Sequence, residues 1–198
     1  MGRRNTREIL LNEGINAFMA KGYEGIGIQQ ILSAVGVPKG SFYNFFDSKE
    51  GFALEVLDAY GRSYSGFVAG HMAGEADPLD RLRAYFAALE DEMAEAGPAA
   101  GCLYGVLSQT SAPHSDILRD RLKSAFATWR DNLTQLLSEA RERGQLRHTA
   151  DVSGLADAII DGYEGALLRM RAEGDIAPVA RFRQITLEAL LAAAAPQK

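Results

Sequence analysis

Hydrophobic residues recur along this chain at intervals of three and four, and no segment alternates with the period of two that a half-buried strand needs. Ile28, Ile31, Leu32 and Val35 outline a short amphipathic helix. Gly36 can end it with a positive φ, and Val37 then turns back toward the core. Pro38 cannot continue that helix but suits the start of another. The pattern predicts a second short helix over residues 39–46, with Phe42 and Phe46 inside and Lys39, Gly40, Ser41, Tyr43 and Asn44 outside. Upstream, Asn5 or Thr6 is expected to cap a helix to about Lys21, with Ile9, Leu10, Ala17 and Phe18 inward. Gly14 costs that helix about 1 kcal/mol relative to alanine, so either close packing demands it or the helix is marginal.

The rest of the chain keeps the helical period. Ser48 is expected to cap a helix from Lys49 to about Met72, striped by Phe52, Val56, Tyr60, Tyr64 and Phe67 and loosened by Gly61, Gly66 and Gly70. Asp77 or Pro78 opens the next, which runs through Met93 and breaks at Ala96-Gly97-Pro98. A short buried helix is expected within residues 99–110. A long one follows from Pro113 or Ser115 to about Arg143, bearing Phe126, Trp129, Leu133 and Leu137. Asp151 caps a helix to about Arg171, in which Val152, Ala156, Ile159, Tyr163, Ala166 and Met170 alternate steps of four and three, as in a coiled-coil seam. A last helix from about Ala177 carries Phe182, Ile185, Ala189 and Ala192 on one face, with Leu187, Leu190 and Leu191 beside it. The apolar surface of these last two helices exceeds what one core needs, so a second copy is expected to cover it in a homodimer. The fold expected is all-α: a three-helix helix-turn-helix head over residues 1–48, then a roughly six-helix body over 49–198.

Charge sharpens this division. The net charge is −5, which argues against a general nucleic-acid coat. Residues 1–50 nevertheless hold six bases against five acids; three of those bases, Arg3, Arg4 and Arg7, fall within the first seven residues, and residues 2–4 form a short basic arm. A mildly positive head on an acidic body fits a protein that touches phosphates at one end. The single cysteine, Cys102, allows no intrachain disulfide and fits a reducing compartment. No apolar run has signal-peptide or membrane-span character, so a soluble, cytoplasmic protein with no membrane partner is expected.

The exposed side of the second short helix carries a cation, a hydroxyl, a phenol, an amide and a close-approach glycine, which suits contact with duplex DNA. Gly22-Tyr23, Ile28-Gln29-Gln30-Ile31, the unbroken run from Gly36 to Phe46, and Ser48-Lys49-Glu50 resemble the DNA-binding domain of the TetR family of transcriptional regulators. The likeness is strong over the first quarter of the chain and one of helical layout beyond it. It departs at Gly27, where relatives usually have a Ser or Thr cap. The resemblance implies a ligand-responsive repressor whose dimer sets two heads on a palindromic operator. It also implies that Gln29, Lys39, Gly40, Ser41, Tyr43, Asn44 and Lys49 face DNA. An activator, or a binder insensitive to ligand, would use the same head.

Catalysis finds little support. His71, His114 and His148 lack ligand spacing, and no metal or cofactor is expected. The run Gly61 to Gly66 only approximates a nucleophile elbow, and Gly25-Ile26-Gly27 lacks the third glycine of a dinucleotide fingerprint. Tyr64, Phe67, Phe86, Met93, Trp129 and Tyr163 either pack the core or line a small-molecule cavity. Tyr163-Glu164 and Arg169 resemble a segment of the acrylate-responsive members, in which a buried Arg169 would suit a carboxylate. Gly101-Cys102-Leu103 resembles the sensor segment of the NemR-like, electrophile-responsive members. The alternative for Cys102 is a packed apolar thiol, and Lys123 and Lys198 are the only lysines beyond Lys49.

Overall fold

The computed structural model describes residues 3–196, with side chains from Thr6 onward, and these residues form helices and connecting turns without strands. In order they are α1 (Arg3–Lys21), α2 (Ile28–Ala34), α3 (Lys39–Phe42), α4 (Lys49–Met72), α5 (Pro78–Ala96), α6 (Leu103–Thr110), α7 (Asp116–Glu142), α8 (Val152–Glu173) and α9 (Ala177–Arg181). The last continues through a π-helical segment, Phe182–Leu187, into α10 (Glu188–Ala194). Helix α1 already includes Asn5 and Thr6, so neither caps it. The basic arm's Arg3 and Arg4 side chains lie outside the described residues.

Most helix ends follow local chemistry. Asp77 caps α5 by accepting from the N–H groups of Leu79 and Asp80, and Asp151 accepts from Gly154. Ser115 Oγ accepts from the Leu118 N–H at the start of α7. Gly36, Gly144 and Gly174 follow their helices at φ near +70°, which side chains with a Cβ resist.

The chain packs as two compact units. The first joins the residues up to Ser65 with Cys102–Ala125, and the second joins Gly66–Gly101 with the chain from Phe126 onward. Packing is therefore divided elsewhere than at the functional boundary expected after residue 48. The core of the first unit draws Leu10, Phe18, Ile31, Leu32, Phe42, Phe52, Val56 and Leu57 together with Leu103, Leu107 and Leu118. Close packing accounts for Gly14: a Cβ there would lie 2.5 Å from Phe52 Cζ and 2.6 Å from Val56 Cγ2. Ile9 is half-buried rather than inward, and Leu11 takes its place.

In the second unit, Val152, Ala156, Ile159, Tyr163, Ala166 and Met170 are all buried within the single chain. The seam on α8 is intrachain core and not the surface for a second copy. The last helix departs further from expectation. Phe182, Leu187, Leu191 and Ala194 point inward, whereas Ile185, Ala189 and Ala192 are exposed. A strict α period would have grouped Phe182 with Ile185 and Ala189. The π segment supplies the extra residue that lets Phe182 and Leu187, five apart, share one face. Arg83 binds both carboxylate oxygens of Glu188, at 2.8 and 3.0 Å, tying α5 to α10. Among the described residues no helix is long and apolar enough to cross a membrane.

Candidate nucleic-acid interface and ligand site

The turn between α2 and α3 forms as its sequence demands. Gly36 adopts φ +67°, and the Val37 N–H reaches back to the Leu32 carbonyl at 3.0 Å, closing a Schellman turn. Helix α3 is shorter than expected. After Phe42 the chain tightens into three-residue steps, with Asn44 N–H donating to Ser41 O and Phe45 N–H to Phe42 O. Phe46 still reaches the core, because Phe42, Phe46 and Phe52 pack edge-on or tilted at ring separations of 4.8–5.4 Å.

That anchoring leaves one polar side outward. Lys39, Gly40, Tyr43 and Asn44 are exposed and Ser41 is half-buried. Tyr43 is 56% exposed, with its ring set edge-on against buried Phe42 at 5.4 Å, so a rigid phenol stands in solvent. A Cβ at Gly40 would meet nothing within 4 Å, leaving room for an approaching backbone. Gln29 is exposed on α2, with Nε2 3.4 Å from Ser33 Oγ. Gly27 has no hydroxyl to cap α2, but Gln30 Oε1 accepts from the Gly27 N–H at 2.9 Å, half of a capping box. Lys49 opens α4 with its ammonium 4.3 Å from the centre of the Tyr23 ring. The seven residues expected to face DNA thus all lie on α2, α3, the turn after it and the first residue of α4.

The expected ligand residues separate. Tyr64 and Cys102 belong to the first unit, and Phe67, Phe86, Met93, Trp129 and Tyr163 to the second. In the second unit, Phe86, Tyr163 and Phe182 form a mutually edge-on triad at 5.2–5.5 Å. Trp129 meets Tyr163 at 6.0 Å, and Phe67, His71 and Tyr85 extend the cluster from the other side of Phe86. The Trp129 indole nitrogen is buried with no hydrogen-bond partner among the described residues. A buried donor of this kind is uncommon and invites an acceptor. Met93 is buried on α5. Arg169 is a surface residue, 61% exposed and held by Glu173 one turn on, with Nε 2.9 Å from the carboxylate. The carboxylate-binding role expected of a buried Arg169 is therefore withdrawn, because its charge is solvated and already paired.

Tyr85, His71 and Phe182 join the cluster although none was singled out as a ligand residue. Tyr85 was readable from the α5 stripe Leu82, Tyr85, Phe86, Leu89. Arg81, on the same inner side, is buried, donates to the Met72 carbonyl at 2.8 Å and pairs with Glu139, so it satisfies the end of α4. In the first unit, Cys102 is the half-buried N-cap of α6, near Tyr60 and Tyr104. Burial, then the neighbouring Cys102 and Tyr64, push the Tyr60 phenol well above its ordinary range, while the Leu103 N–H pulls it back. Burial likewise raises Tyr104.

Residues 10–56 match the family model described as bacterial regulatory proteins, tetR family, and residues 78–186 match the tetracyclin repressor-like C-terminal domain. The HTH-type transcriptional repressor DhaR of Mycobacterium sp. (strain GP1) is 34% identical over 192 residues, covering 96% of this chain and 95% of that protein. The transcriptional regulator AcuR of Cereibacter sphaeroides is 36% identical over 165 residues, covering 83% and 75%. A crystal structure of a regulatory protein TetR from Rhodobacter sphaeroides superposes with a TM-score of 0.86 at 33% identity, covering 93% of this chain and 96% of that one.

Proposed function

Since this chain belongs to the TetR family of bacterial regulatory proteins, we propose that it is a repressor that a small molecule releases from its operator. The observation that carries the reading is the outer side of α3 and its following turn, where Lys39, Gly40, Tyr43 and Asn44 face solvent over a fully buried Phe42. A helix so presented fits the major groove, and two heads about one helical turn apart would read a palindrome. The relatives named as repressors support repression over activation. The protein is a DNA-binding regulator and not an enzyme.

Two further parts of the proposal rest on the second unit. Leu168 and Ile185, 55% and 63% exposed, lie with Gly165, Ala172 and Ala189 on the outer sides of α8 and the last helix, and these sides support a homodimer contact. The ring cluster around Trp129 supports a reversibly bound effector that is small, largely apolar and equipped with an oxygen acceptor for the indole N–H. Cys102, half-buried at the start of α6, supports a packed thiol over a sensor. The test is to select duplexes from a random library with the purified protein, then titrate the bound complex with small carboxylates, ketones and α,β-unsaturated carbonyls. Palindromic enrichment with release by one of these is expected. Enrichment of no sequence would end the DNA reading, and binding indifferent to every compound would favour a ligand-insensitive regulator.

A further inference from the structure

The Lys49 ammonium sits over the face of Tyr23, 4.3 Å from the ring centre, and among the described residues no carboxylate pairs with it. Arg7, in the same unit, is instead neutralised by Glu55. The distinction matters for a cation that must meet a phosphate. An ion pair would spend the charge, whereas a ring narrows the rotamers of a flexible four-carbon stem and leaves the N–H donors outward.

Tyr23 is in turn held from α6. Its backbone N–H donates to Thr110 Oγ1 at 3.1 Å, and the same hydroxyl donates to the Val106 carbonyl at 2.8 Å. Thr110 therefore uses its hydroxyl as donor and acceptor at once, which fixes its direction. Gly22 lies directly against it: a Cβ there would come within 2.7 Å of Thr110 Cγ2, and φ is +67°. Ser115, just beyond α6, donates to Glu50 Oε1 at 2.6 Å, holding the residue beside Lys49. The last turn of α6 and the start of α7 thus grip both the segment that carries the ring and the helix that carries the cation.

We propose that Tyr23 and Thr110 are positioning residues for the Lys49 phosphate contact: Thr110 fixes the Tyr23 backbone, and the Tyr23 ring holds the ammonium ready for DNA. The inference rests on the DNA-binding reading above. Neither residue touches DNA in this scheme; each acts through Lys49, so its effect on affinity should vanish when Lys49 is gone.

A double-mutant cycle on the library-selected duplex tests this. Tyr23→Leu should weaken binding about three-fold in the wild-type background and not measurably in Lys49→Ala. Thr110→Val, which keeps shape and removes the acceptor, should behave the same way, with Thr110→Ser and Tyr23→Phe restoring the wild-type affinity. A second readout needs no DNA: by NMR, the ε-methylene protons of Lys49 should lie upfield of those of the other lysines through the ring current. That displacement should persist in Tyr23→Phe, shrink in Thr110→Val and disappear in Tyr23→Leu. Equal losses in both backgrounds would overturn the proposal and leave Tyr23 and Thr110 as packing only, as would an ordinary Lys49 shift in the wild type. A wild-type protein that selects no duplex would remove the DNA reading, recognisable because the upfield signal would remain.

Discussion

Gly14 shows how much one absent methyl group can decide. Gly14→Ala should gain about 1 kcal/mol of helix propensity, but overpacking against two side chains that are themselves fully buried costs about 1–3 kcal/mol. Net destabilisation is expected, read as a lower midpoint in urea; a more stable variant would mean that Phe52 and Val56 yield easily. The sequence posed this question and only the packing of α1 on α4 answers it, since the partners lie about forty residues away. The motif alone singles out Tyr43 and Lys49 as candidates for DNA contact. Their double replacement by alanine should abolish duplex binding with helix content unchanged by circular dichroism, and Lys49→Ala alone should lower the slope of log K against log salt by roughly one. Binding of selected duplex by the double variant at wild-type strength would remove both from the interface. The carboxylate role of Arg169 required burial, and Glu173 four residues on signals the surface pair that the structure has instead. For Cys102→Ser the expectation is loss of about 1–3 kcal/mol of stability with operator release by the effector retained. Loss of that response in a folded variant would restore the thiol as the sensor.

At the scale of elements, the period of a helix tells which residues share a side but not what that side meets. The four-three spacing on α8 was legible and correctly marked a buried stripe, yet it gave no sign that the stripe is satisfied within one chain. Ile159 is 0% exposed, so Ile159→Glu should cost more than about 4 kcal/mol and unfold the protein rather than split a dimer. Leu168→Glu, on the outer side, should leave the fold intact and yield monomers in sedimentation at micromolar concentration. A folded, dimeric Leu168→Glu would move the proposed contact elsewhere. The π segment was invisible to pattern reading, because an α period assumes 3.6 residues per turn throughout. Gly162 belongs to the same account: a Cβ there would lie 3.1 Å from the Phe182 ring, so α8 meets the π turn where it has least bulk.

On the scale of the whole molecule, linkage requires that an effector and the operator weaken each other's binding by the same factor. The single tryptophan lies in the proposed effector cluster, so its fluorescence should report effector affinity with and without duplex. Equal affinities in the two states would show that the ligand is not the releasing signal. The first unit also carries a consequence for how the protein is made. It is built from two stretches of chain separated by residues 66–101, and Leu103, Leu107 and Leu118 from the later stretch close its core. A ribosome moving at roughly 5–20 residues per second exposes the first stretch for several seconds before the second is available. During that wait the apolar sides of α1 and α4 lack their cover, so nascent chains stalled once α4 has emerged but before Leu103 has should engage holding chaperones, and chains released beyond residue 125 should let them go.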